Sequence, residues 1–133
     1  MLYPMFMMVL LTLIIGLVTM KFRIENVKSG AVGTKYFKLM EGQEVPEIIT
    51  KTTRCFNNMF EVPMLFYIGC LLYVSLGYES AVGTFFAWAF VAMRYVQAFV
   101  HLTYNHLIHR MLSFWLAFLS AMVLWLNLLY LQF

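Results

Sequence analysis

Aspartate is absent from this sequence, and charged residues of any kind make up only 11% of its 133 positions. Soluble domains carry roughly a quarter of their residues as charges, so a water-exposed globule is excluded. Three prolines and seven glycines leave long stretches without a break. Cysteine occurs only twice, at Cys55 and Cys70. On one helix these lie roughly 22 Å apart at 1.5 Å rise per residue, too far to bridge each other. Cys70 reads as a small core residue, and Cys55, beside Arg54, as the more exposed to reaction. No glycine-rich phosphate loop and no Ser-His-acid arrangement is present. The three histidines do not converge at metal-ligand spacing, so no metal is expected.

What the chain does contain is hydrocarbon: 63% of its residues are hydrophobic, with 13 Phe and 11 Met. About 20 apolar residues cross a bilayer core as a helix. Four such stretches are expected, at about residues 2–22, 52–77, 84–107 and 112–131, in one domain covering 1–133. The first is followed, not preceded, by basic residues and shows no small-residue cleavage site, so it reads as a retained helix. Short second and third connections describe an all-α, four-transmembrane-helix up-down bundle.

The first connection, about residues 24–51, is the long one. Seven of the nine Lys and Arg residues fall between Lys21 and Arg54. The positive-inside rule places that loop in the cytoplasm and both termini on the opposite side. The net charge of +3 is therefore a topology signal, with contacts to anionic lipid, and no nucleic-acid partner is expected. A bacterial inner membrane is the expected location, from the short chain and plain loops.

Two polar faces interrupt the apolar spans. In RCFNNMFEVPMLF (54–66), Arg54, Asn58 and Glu61 stand four and three residues apart, on one helical face. In RYVQAFVHLTYNHLIHR (94–110), Arg94, Gln97, His101, Tyr104 and Asn105 fall within about a third of a helical circumference. A charge at the centre of a span costs roughly 2.5–3.5 kcal/mol on the insertion scale. Glu61 and Arg94 are the deepest charges, so an ion pair between them is expected across the second and third helices. As a set these groups read as a site, and intramembrane ionisable groups point to function by default.

The second-helix string Arg54-x-x-x-Asn58-x-x-Glu61-x-Pro63-x-x-Phe66, with the run from Arg94 to Arg110, resembles the membrane-associated proteins in eicosanoid and glutathione metabolism (MAPEG). The resemblance extends over nearly the whole chain. It implies a homotrimer with sites between neighbouring subunits, and glutathione as co-substrate. The implied activity is transfer of the glutathione thiolate to a lipophilic electrophile, or its use on a lipid peroxide. Carried over by position, Arg54, Asn58 and Glu61 match glutathione-binding residues, and His101 and Tyr104, on the facing helix, are expected to bind glutathione with them. Arg110 matches the arginine that stabilises the thiolate, and Arg94 the one that pairs with the buried glutamate. Asn57, Gln97, His101 and Met111 depart from the family's catalytic pattern. Two alternatives stand beside the enzyme: a non-catalytic lipid-binding, partner-presenting protein of the same fold, and a small transporter or proton relay.

Overall fold

The computed structural model describes residues 1–132. Among them every regular element is a helix, and four helical stretches are long and apolar enough to cross a membrane. The first is α1 (Leu2–Lys28), which runs beyond the expected boundary near residue 22. Its polar end continues as helix because Asn26 donates to the Phe22 carbonyl at 2.8 Å. Lys21 and Glu25 add an exposed i,i+4 pair of small value. The chain then turns at Gly30, whose φ of +76° suits glycine.

The first connection holds one short helix, α2 (Tyr36–Leu39). It rests against the end of α1, where the Arg23 guanidinium lies 5.5 Å from the centre of the Phe37 ring. The second crossing is not one helix. It comprises α3 (Glu47–Asn57), a 3-10 turn (Asn58–Phe60) and α4 (Val62–Ser75). The third is α5 (Ala81–Leu102) and the fourth α6 (Leu107–Gln132). These two crossings are shifted from expectation: α5 stops five residues before 107, and α6 starts five residues before 112.

Packing in lipid relies on close fit and hydrogen bonds, because lipid tails are as apolar as the core. Gly69 shows the fit: a Cβ there would stand 2.6 Å from Leu124 Cδ2. With no side chain in the way, α6 closes on α4, and Trp125 Nε1 donates to the Leu65 carbonyl at 3.0 Å. Phe66 and Phe90 stack with ring centres 4.3 Å apart, joining α4 to α5. Thr19 Oγ1 reaches the Thr52 carbonyl at 3.2 Å and ties α1 to α3. Tyr95 reaches the Met7 carbonyl at 2.9 Å and ties α5 to α1.

The bundle end away from the long connection is held by Asn127. Its Oδ1 accepts from the Tyr73 and Ser80 hydroxyls, both at 2.7 Å. Ser80 also caps α5 by accepting from the Gly83 N–H at 3.1 Å. The outward residues, among them Leu13, Leu17, Leu71 and Leu126, are exposed and apolar, as contact with lipid requires.

Candidate functional site

The site is built on the break in the second crossing. Pro63 has no N–H, and its ring would collide with the Met59 carbonyl in a continuous helix. As the second residue of α4 it is tolerated, since N–H groups there have no helical partner. The chain therefore tightens over Asn58–Phe60, bends at Glu61 (φ −96°, ψ −100°) and restarts. The Asn58 carbonyl loses the i+4 partner that an unbroken helix would supply.

Arg94 takes that place. It is wholly buried, its Nη2 donates to the Asn58 carbonyl at 2.6 Å, and its Nη1 donates to Gln97 Oε1 at 2.6 Å. Nη2 also lies 3.9 Å from Met59 Sδ, and Nε is buried without a partner. The expected ion pair between Glu61 and Arg94 is not formed within the subunit. Glu61 sits at the bend and is exposed, and among the described residues no carboxylate comes within 4 Å of Arg94. The physical cause is loss of α-helical register at residues 58–61, which turns Glu61 away and offers a main-chain carbonyl instead.

The third-helix stripe is likewise shorter than expected. Arg94, Gln97 and His101 lie on one buried face of α5. Tyr104 does not continue it, because α5 ends at Leu102 and Thr103 leaves the helix (φ −96°, ψ −104°). Tyr104 is 57% exposed and its hydroxyl meets His109 Nδ1 at 3.0 Å. Asn105 adopts a left-handed backbone with φ +50°.

Beyond that turn lies the end of the bundle that carries the long connection. Arg110, half-buried in the first turn of α6, donates from Nη1 to Asn105 Oδ1 at 2.7 Å. Its Nε is buried without a partner. Lys51 pairs with Glu47 at 2.9 Å on α3. Arg54 is exposed and Asn58 half-buried, each one turn further along. Arg94 ties α5 to the end of α3 through the Asn58 carbonyl, and His101 lies further along the same buried face of α5. Arg94, Arg110, His101 and the end of α3 thus share this end of the bundle, while the Tyr104 hydroxyl is turned to His109 and Glu61 is exposed at the bend. Cations outnumber carboxylates here, and the first turn of α6 adds unpaired N–H groups, so the chemistry favours an anion.

Two partners were missed in the sequence. Gln97 as the acceptor for Arg94 has a readable signal, the i,i+3 spacing on one helix. Asn105 as the acceptor for Arg110 has only a faint one: asparagine is enriched in left-handed backbone. Among the described residues, no three His, Cys, Asp or Glu side chains are grouped to hold a metal.

An apolar groove of about 540 Å³ runs between α1 and the broken crossing. Gly16, Met20, Phe56, Met59, Met64 and Tyr67 contribute to its lining. Met59 belongs to both places, since it lines the groove and touches Arg94.

The model of the MAPEG family matches residues 1–130. No curated protein and no solved structure matches the chain.

Proposed function

The chain belongs to the MAPEG family, and on that premise we propose that it is a glutathione-dependent membrane transferase or peroxidase. The observation that carries the proposal is the placing of Arg94, His101 and Arg110 with the end of α3, which bears Lys51 and Arg54, at one end of the bundle, beside a groove open to lipid. Glutathione bears two carboxylates and a thiol whose pKa, near 8.5, leaves it mostly protonated at neutral pH. A neighbouring cation favours the thiolate. Arg110, like Arg94, keeps a buried Nε without a partner, and as the one at the turn between α5 and α6, at the position that matches the family's thiolate-stabilising arginine, it takes that role.

Arg54 clamps a carboxylate of the tripeptide, a bidentate task suited to guanidinium. Asn58 hydrogen-bonds the bound tripeptide and Glu61 accepts from its amino group. Both Arg54 and Glu61 are exposed on the single subunit, which suits a site completed by a neighbouring subunit of a homotrimer. His101 forms the inner wall. The thiolate sulfur then forms its bond to the electrophilic carbon, and the displaced electron pair leaves on the substrate, to be protonated by water. With a lipid hydroperoxide, the thiolate sulfur bonds to the terminal oxygen as the O–O bond breaks, the lipid alkoxide leaves and is protonated to the alcohol, and the glutathione sulfenic acid so formed condenses with a second glutathione to give the disulfide and water.

By the positive-inside rule the site faces the cytoplasm and both termini face the other side, in a bacterial inner membrane. The apolar groove supports a second reading, a lipid-binding protein that presents its ligand without chemistry. Ultraviolet difference absorption of the purified protein with glutathione separates the two. The transferase shows a saturable thiolate band near neutral pH, and Arg110→Ala removes it while glutathione still binds. Loss of one such charge-stabilising donor lowers turnover by about a hundredfold or more. A wild-type protein with no band, and no competition by a glutathione thioether, overturns the transferase reading in favour of lipid presentation.

A further inference from the structure

The turn joining α5 to α6 does more than reverse the chain. Its only left-handed residue is Asn105, with φ +50°, and its main-chain N–H reaches back to the Val100 carbonyl at 2.8 Å. That bond holds the backbone of Asn105 in the turn. Its Oδ1 accepts from Arg110 Nη1 at 2.7 Å, so the other amide edge, Nδ2, is turned away from Arg110. Glu47, at the start of α3, holds Lys51 at 2.9 Å.

Arg110 needs the support of Asn105. It sits in the first turn of α6, where the helix dipole disfavours a cation, and no carboxylate pairs with it among the described residues. A carboxylate partner would hold the guanidinium but cancel its charge. A neutral amide oxygen holds one edge and leaves the full positive charge, with the buried Nε still free.

We infer that Asn105 is a positioning residue: its amide aims Arg110 at the bound thiol while leaving the charge of Arg110 undiminished. The inference rests on the glutathione reading above and deepens it. Asn105 touches neither thiol nor electrophile; it acts through Arg110.

Two substitutions keep the left-handed backbone and change only what faces Arg110. Glycine tolerates positive φ and removes the amide; aspartate tolerates it and adds a negative charge. Lys51, Glu47 and Arg54 on α3, His101 on α5, and His106 and His109 at the start of α6 share this end of the bundle and are unchanged in both variants. The test is the pH titration of the glutathione thiolate band in the full-length protein, together with glutathione affinity. In Asn105→Gly the midpoint rises by about one pH unit, a roughly tenfold loss of stabilisation, with affinity within about twofold. In Asn105→Asp it rises further. In an Arg110→Ala background, where no band remains near neutral pH and the titration is carried to higher pH, Asn105→Gly has no additional effect, as expected of two groups acting as a unit.

A residue that merely shaped the turn would leave both midpoints at the wild-type value, and that result overturns the inference. So does an equal effect of Asn105→Gly with and without Arg110. A wild-type protein without a thiolate band fails one step earlier and overturns the glutathione reading itself.

Discussion

Replacing Arg94 by leucine separates the observed hydrogen-bonding scheme from the ion pair expected of the sequence. In the structure Arg94 is wholly buried and serves two acceptors, the Asn58 carbonyl and Gln97 Oε1, each at 2.6 Å. Leucine leaves both without a donor, and a buried unsatisfied acceptor costs about 1–3 kcal/mol. Part of this is offset because a buried charge no longer has to be desolvated. The net expectation for Arg94→Leu is a loss of about 3 kcal/mol. The double variant Arg94→Leu/Gln97→Leu removes one stranded acceptor and recovers about 1–2 kcal/mol of it. Glu61→Gln, by contrast, changes fold stability by less than about 0.5 kcal/mol, as for an exposed position away from any packed feature. The assay is reversible unfolding in mixed micelles, followed by the fluorescence of Trp88, Trp115 and Trp125. If Glu61→Gln destabilises the subunit as much as Arg94→Leu does, the ion pair exists and the geometry given for Arg94 is wrong. A neutral Arg94→Leu would also refute the reasoning.

Three further outcomes are expected. Gly69→Val drives a side chain into Leu124 and Trp125, and overpacking of this kind costs about 1–3 kcal/mol, with a shifted Trp125 emission. Asn127→Leu removes the acceptor shared by the Tyr73 and Ser80 hydroxyls, leaving Tyr73 only the Leu124 carbonyl at 3.2 Å and the Ser80 hydroxyl without an acceptor. It is expected to lower stability by about 1–3 kcal/mol and to speed hydrogen exchange at the turn between α4 and α5; unchanged exchange there would contradict the pinning role. Cys55 and Cys70 are both free and buried, so a maleimide should label neither in the folded protein and both after denaturation in dodecyl sulfate.

The number of crossings was legible because membrane thickness demands about 20 apolar residues, and length and hydropathy carry that demand openly. The polar faces were legible too, since a helix places residues three and four apart together. What failed in both cases was the assumption that the helix continues. Projection past Leu102 put Tyr104 on the Arg94 face, yet nothing in the run Leu102-Thr103-Tyr104-Asn105 announces a stop: no glycine and no proline stands there. The only hint is Asn105, and left-handed asparagine is an enrichment, not a rule. Pro63 did announce a break, but not which groups the break would release. The carbonyl left open is that of Asn58, one residue before the Met59 carbonyl that the proline ring itself would meet, and which donor then fills the gap depends on a neighbouring helix. That partner, Arg94, is 36 residues away from Asn58.

The two departures from regular helix have a common consequence. An unbroken helix consumes its own carbonyls and amides, so a continuous second or third crossing would present only side chains to the bundle interior. The break at Asn58–Phe60 frees a main-chain carbonyl that fixes Arg94, and the left-handed turn at Asn105 brings a side-chain amide oxygen to Arg110. In each case a neutral oxygen, not a carboxylate, is the anchor, and each arginine keeps its charge. Two held but uncancelled cations in a low-dielectric end of the bundle create a local demand for an anion that salt screens far less than at an open surface. An ion pair at either position would have stabilised the arginine more and left the site with less to offer a thiolate.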